Sequence, residues 1–232
     1  MKIIFLNFYN GLIDRGAETF VKELASRLAE NNKVVVFQAG AKRNKEKYKV
    51  VHIPFPKKQF YSNSDIFLFT LRCLAGILKE KAEIIYPING RWQAFILRLI
   101  TFFTKTKLVT AGHAGIGRDD FFNLWVWPDT FVCLTKKGKN WSRKWGPYVK
   151  STVIPYGVDC RKFKPDGKAM KINLPSPIIL TVAGKEKFKR VEKTIIAVSQ
   201  LTHGSLLLAG NQDQEIFSLA KKLLGAKRFK QI

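Results

Sequence analysis

Short apolar runs alternate with stretches at helical spacing along nearly the whole chain, and this rhythm limits the available folds more than any other feature. Residues Lys2–Phe8, KIIFLNF, are mostly branched or aromatic and read as a strand. A polar, glycine-bearing loop, Tyr9–Gly16, follows. From Glu18 the segment ETFVKELASRLAENN sets Phe20, Val21, Leu24, Ala25 and Leu28 on one helical face, with charges opposite. Asn31-Asn32 ends that helix, and Lys33–Phe37 is apolar again. Such a β-loop-α-β unit is the building block of a parallel, doubly wound sheet.

The unit recurs. Strands are expected at Val50–Ile53, Ile84–Tyr86, Leu108–Ala111, Thr130–Leu134 and Ser151–Ile154, with helices at Asp65–Glu80, Arg91–Phe103 and the lysine-rich Lys136–Trp145. Pro155-Tyr156-Gly157 then forces a turn. The stretch from Lys164 to Pro177, KPDGKAMKINLPSP, has the composition of an interdomain linker. The expected organisation is a complete Rossmann-like domain over 1–166, a linker over 167–177, and a second, incomplete Rossmann-like domain over 178–232. In the latter, Ile178–Val182 and Ser205–Leu208 read as strands and Val191–Leu201 and Gln214–Leu224 as helices, with no finishing strand expected before Ile232.

Charge narrows the class of partner. Lys and Arg number 41 against 17 Asp and Glu, a formal +24 that must be solvated or face something acidic. The three cysteines, Cys73, Cys133 and Cys160, show no C-x-x-C spacing, so neither a zinc site nor a disulfide framework is expected and a reducing cytoplasm is the natural setting. The longest apolar stretches, Ile66–Leu78 and Ala94–Phe103, are broken by Arg72 and Arg98 and fall short of the roughly 20 residues a membrane span needs.

Three strand-to-helix turns are candidate anion sites, because backbone N–H groups and the positive end of a helix converge there. In NGLIDRGAE, Asn10–Glu18, Gly16 permits close backbone approach to a ligand, and Glu18 either orients a hydroxyl or only complements the helix dipole. In AGHAGIGRDD, Ala111–Asp120, the glycine spacing reverses the dinucleotide fingerprint. His113 nonetheless stands at the carboxyl end of a strand, where open α/β sheets bind ligands; His52 and His203 lack that setting. In GKEKFKRVEK, Gly184–Lys193, Lys185, Lys187, Lys189, Arg190 and Lys193 crowd a helix start. A bound phosphate would relieve them, the plainer alternative being solvated lysines. No Ser-His-Asp order, P-loop or H-E-x-x-H appears, so hydrolase readings lack support. A non-enzymatic anion-binding module is the rival. Trp125, Trp127, Trp141 and Trp145 lie amid or near basic residues, and Lys136–Lys150 suits an anionic membrane face.

Taken together, these loops resemble the family 4 retaining glycosyltransferases, built from two Rossmann-like domains in the GT-B architecture. Arg15-Gly16-Ala17-Glu18 is similar to the G-G-A-E turn after the first strand. The segment from Val153 to Asp159, VIPYGVD, with Phe163 and Pro165, resembles the V-I-P-N-G-V-D…F-x-P crossover. Ile179–Val182 through Lys189–Glu192 resembles the opening strand and phosphate turn of the donor domain, and Leu206–Gly210 its next strand. The chain departs from the pattern at Arg15, at Tyr156 in place of asparagine, and at Gly184 in place of arginine. The family's E-x7-E segment would lie beyond Ile232, so a fragment of a longer product is expected.

The resemblance implies a retaining hexosyltransferase that moves a sugar from a nucleotide-sugar donor to a glycan or lipid-linked acceptor. It needs no cofactor and no metal, and it is cytoplasmic and peripheral on the inner face of an anionic membrane, with nucleic acid not expected as a partner. It implies a backbone contact from Gly16 to the sugar-phosphate, His113 near the transferred sugar, and Lys189 on the leaving diphosphate, assisted by Lys185 or Arg190. Arg15 and Glu18 fall on the acceptor side.

Overall fold

A computed structural model describes residues 1–13, 15–41, 46–56, 61–113, 116–168, 170–185 and 187–232. The chain forms two compact units, Met1–Val158 and Asp159–Ile232, and the proline-bearing stretch belongs to the second.

The first unit is a seven-stranded sheet in the order β3-β2-β1-β4-β5-β6-β7. Its strands are β1 (Lys2–Asn7), β2 (Lys33–Gln38), β3 (Lys49–His52), β4 (Ile84–Pro87), β5 (Lys107–Ala111), β6 (Thr130–Cys133) and β7 (Ser151–Val153). Every pairing is parallel, with Ile4 opposite Val35 on one side and Ile85 on the other. Burial on both faces explains why β1 and β2 are apolar throughout rather than alternating. On one face, Ile3, Phe5, Val34 and Val36 meet Val21 and Ala25 of α1 (Gly16–Leu28). On the other, Ile4, Leu6 and Phe37 pack against Phe69, Cys73 and Ile77 of α2 (Asn63–Glu80) and Ala94 and Leu97 of α3 (Arg91–Phe102). The α2 start is fixed by a capping box in which the Ser62 side chain accepts from the Asp65 N–H and the Asp65 carboxylate accepts from the Ser62 N–H.

Two further helices, α4 (Arg118–Trp125) and α5 (Lys136–Trp145), close the layer over β6 and β7. The sequence reading had no helix at α4, because eight residues with three aromatics carry too little periodicity to show one. Strand order reverses between β1 and β4, so the loops after these strands, with that after β5, flank the topological switch point.

The second unit contains β8 (Ile178–Val182), a turn of 3-10 helix (Lys187–Lys189), α6 (Val191–Ser199), β9 (Ser205–Ala209), α7 (Gln214–Arg228) and β10 (Phe229–Gln231). The sheet is parallel, in the order β10-β9-β8. The expectation of no finishing strand is corrected: β10 pairs with β9, Phe229 opposite Leu206. Gly225, at φ 66° and ψ 169°, interrupts the helical path, and Phe229 buries itself against Phe217, ring centroids 5.7 Å apart. A three-residue strand with one apolar residue gives no alternation to detect. Helices α6 and α7 cover one face, where Val191, Ile195 and Leu224 share a core with Leu206 of β9.

Candidate active site

The turn after β1 is held from several sides. Asn7 is fully buried at the strand's end; its Oδ1 accepts the Tyr9 N–H at 3.1 Å, and its buried Nδ2 donor has no partner among the described residues. The Phe8 N–H donates to Asn89 Oδ1 at 2.8 Å, tying this loop to the one after β4. Gly11, at φ 78°, lies so close to Gly40 that a Cβ on Gly40 would sit 2.1 Å from the Gly11 backbone; only glycines allow the two loops to touch.

Arg15 is the N-cap of α1, but its side chain caps nothing. Instead the guanidinium stacks over the Tyr9 ring at 4.4 Å and donates to the carboxylate of buried Glu18 at 3.3 and 3.4 Å. The first amides of a helix have no intrahelical acceptor, and among the described residues the N-cap side chain leaves those of α1 uncapped. A Cβ on Gly16 would meet nothing within 4 Å, so the approach to them is open. Burial raises the Tyr9 phenol above its usual range, and Arg15 works against that rise.

His113 follows β5 and is clamped between two phenols. Tyr86 Oη lies 2.7 Å from its Nε2 and Tyr156 Oη 2.5 Å from its Nδ1, and the ring stacks nearly parallel to both. Phe20 of α1, one turn beyond Gly16, meets the imidazole edge-on at 5.0 Å and Tyr156 at 5.3 Å. Burial pushes the His113 pKa down to about 4. The ring is therefore neutral near pH 7, one nitrogen donating to a phenol oxygen and the other accepting a phenol proton. Tyr86 is raised by its own burial, so it too stays protonated.

Beside His113, a depression of about 140 Å³ opens at the carboxyl ends of β5 and β6, lined by Gly112, Asp120, Phe131, Thr135 and Trp141 among others. A second, of about 360 Å³, lies at the amino ends of β1 to β3. There Lys2 and Lys49 both reach Glu80 at 2.5 Å, which holds that carboxyl below its usual range through hydrogen bonds from the two lysines. Charge compensation and the wrong end of the sheet count against a ligand at that second place, since open α/β sheets bind at the carboxyl ends.

In the second unit, Lys185, Lys189 and Arg190 are exposed on the turn from β8 to α6. Lys185 meets Asp213 at 3.4 Å, and Arg190, the N-cap of α6, adopts φ 51° without a side-chain cap. Gln212 Nε2 donates to the carbonyls of Ala183 and Gly184 at 2.7 and 3.0 Å and braces the turn. Gly210, at φ 117°, could carry no side chain, because a Cβ would lie 2.3 Å from Ala183 O.

The first unit thus brings Arg15, Gly16 and Glu18 together and sets His113 against α1, while Lys185, Lys189 and Arg190 share one turn of the second. Sequence reasoning missed Asn7, Phe20 and Tyr86 as members of the site. It met Tyr156 only as a departure from the family pattern, although an aromatic residue near the carboxyl end of β4 was a readable signal for Tyr86. His52 lies 3.2 Å from the Ala39 carbonyl, and His203 pairs with Thr202 on the surface. Among the described residues no cluster of His, Cys, Asp and Glu could hold a metal, and no helix is long and apolar enough to cross a membrane.

None of the curated proteins searched matches the chain. Among solved structures it is similar to a glycosyltransferase from Rickettsia africae, at 19% identity and a TM-score of 0.68, covering 100% of this chain and 67% of that one. It is also similar to HepE of Anabaena in complex with UDP and glucose, at 14% identity and a TM-score of 0.64, covering 100% and 69%. WaaG, a glycosyltransferase of lipopolysaccharide biosynthesis, gives 14% and 0.64, covering 99% and 69%. At such identities the likeness establishes a shared GT-B type, Rossmann-like fold, and this chain spans about two thirds of each. The sequence model of one family matches residues 15–162 of the 232, from the uncapped α1 entrance through His113 to the crossover. On that match over more than half its length, the chain belongs to Glycosyltransferase Family 4.

Proposed function

We propose that the chain is the acceptor-side domain and part of the donor domain of a retaining hexosyltransferase, which moves a sugar from a nucleotide-sugar donor to a glycan or lipid-linked acceptor. The domains are read as 1–166, a linker over 167–177, and 178–232. The observation that carries the reading is the neutral His113, locked between Tyr86 and Tyr156 and set against α1 beside open, uncapped amides. A neutral, oriented imidazole can hydrogen-bond a sugar hydroxyl without placing a full charge there. Departure of a nucleoside diphosphate develops negative charge, which fixed cations and amides can stabilise. In the second unit Lys185, Lys189 and Arg190 take that role, and in the first the Gly16 amide takes a backbone contact to the sugar-phosphate. Arg15 and Glu18, already paired, face the acceptor side. No metal or cofactor is assigned. HepE, which shares the fold, is a complex with UDP and glucose, and WaaG acts in lipopolysaccharide biosynthesis, which agrees with a nucleotide donor and an envelope acceptor. A cytoplasmic, peripheral position at a membrane follows from such an acceptor.

The test offers UDP- and GDP-sugars with glycan and lipid-linked acceptors in EDTA and reads the anomeric configuration of the product by NMR. Transfer with retention is expected. Lys189→Ala should lower turnover about a hundredfold or more with the melting temperature unchanged. Salt-steep binding of polyanions without transfer or nucleotide protection would instead favour the non-enzymatic module.

A further inference from the structure

The outer faces of α2 and α3 are unusually apolar for exposed helices. Both bury one side on the sheet, through Phe69 and Cys73 and through Ala94 and Leu97. On the side turned away, Trp92, Phe95, Leu99 and Phe102 recur at three- and four-residue spacing along α3, and Phe67 and Leu71 do so along α2. All six are between 39% and 61% exposed. They form one surface: the Phe67 and Trp92 rings meet across the two helices at 6.5 Å, and Trp92 meets Phe95 at 5.9 Å. A contiguous patch of this kind marks an interaction site rather than ordinary surface.

Charge says what fits it. The only carboxylates on α2 to α5 are Asp65, Glu80, Asp119 and Asp120. Asp65 is spent in the α2 cap, Glu80 on Lys2 and Lys49, Asp119 on Arg91, and Asp120 is buried. Exposed Arg72 and Lys79 lie on α2 itself, and exposed Lys105 follows the end of α3. Aromatic and leucine side chains on helices that also carry basic residues match the interface of an anionic bilayer, where rings settle at headgroup depth and lysines meet phosphates. The sequence reading chose Lys136–Lys150 for this contact. Of its two tryptophans, however, Trp141 packs inward against the core of β6 and β7, leaving only Trp145 well exposed.

We infer that the α2–α3 face is the surface by which the protein lies on an anionic lipid bilayer. This builds on the membrane-side reading above, but its test measures vesicle binding and requires no turnover, so either can fail alone. The intact chain is sedimented with vesicles of phosphatidylcholine and phosphatidylglycerol in equal parts, and with phosphatidylcholine alone. Binding to the mixed vesicles is expected, and L99E with F102E should weaken it about tenfold or more with the melting temperature unchanged. Should that pair unfold, Leu99→Ser with Phe102→Ser takes its place, with a smaller loss in the same direction. The inference is overturned if the wild type ignores mixed vesicles or if the Leu99 and Phe102 variants bind as it does. It is equally overturned if only charge reversal at Lys136 and Lys137 abolishes binding, or if the patch proves to join two copies in a dimer that L99E dissociates.

Discussion

The two strand-to-helix turns at β1–α1 and β8–α6 do the same topological job with opposite materials. At the first, an Arg–Glu pair, a ring beneath the guanidinium, a buried Asn and two touching glycines fix every group in place. At the second, exposed cations stand on a short 3-10 turn, braced from below by Gln212. The sheets differ likewise. Strand β1 is buried on both faces, whereas β8 leaves Ile178, Leu180 and Val182 exposed on one side, at 37%, 58% and 74%. The contrast teaches that the first turn is preorganised by packing, and the second is an electrostatic surface whose shape depends on few contacts.

The sharpest way to break this comparison is Gly210→Val. A Cβ there meets Ala183 O and φ is positive, so a loss of about 3 kcal/mol or more is expected. Hydrogen exchange should show β8 to β10 opening while amides of β1 to β7 stay protected. If both units open together, they are not separately stabilised.

Acid gives the next effect. The folded pKa of His113 lies near 4, below its ordinary 6.5, so between these values the unfolded chain binds a proton that the folded one does not. Stability from this residue is therefore complete above pH 6.5, falls as pH drops through that window, and is lost below about 4, in all about 3 kcal/mol. Chemical denaturation at a series of pH values should show the slope, and His113→Phe should remove it. Tyr156→Phe deletes one hydrogen bond from the clamp and should cost about 1 kcal/mol, read as a lower denaturation midpoint at an unchanged slope. Lys185→Ala marks the small end: its pair with Asp213 is exposed, so a change within about 0.5 kcal/mol is expected in the same assay. A larger loss would mean the second turn is built more like the first.

Much of the fold was legible because β1, β2 and α1 carry their burial pattern in consecutive residues. Elements without such a pattern were not: α4 is short and aromatic, and β10 is three residues after a kink at Gly225. The site divides in the same way. His113 and the first turn could be picked out because strand ends and glycine loops are local signals. Tyr86 and Tyr156 could not be assigned to His113, because their hydrogen bonds span 27 and 43 residues of sequence.

By itself, the order of amino acids determined the alternation of strand and helix, the excess of positive charge, and the kinship carried by a few short motifs, since each depends on neighbours along the chain. Only the tertiary structure decided that the histidine is held neutral and that Trp141 turns inward while the aromatic stripe of α3 stays outside. Burial is a property of what surrounds a group in space, and sequence separation does not report it.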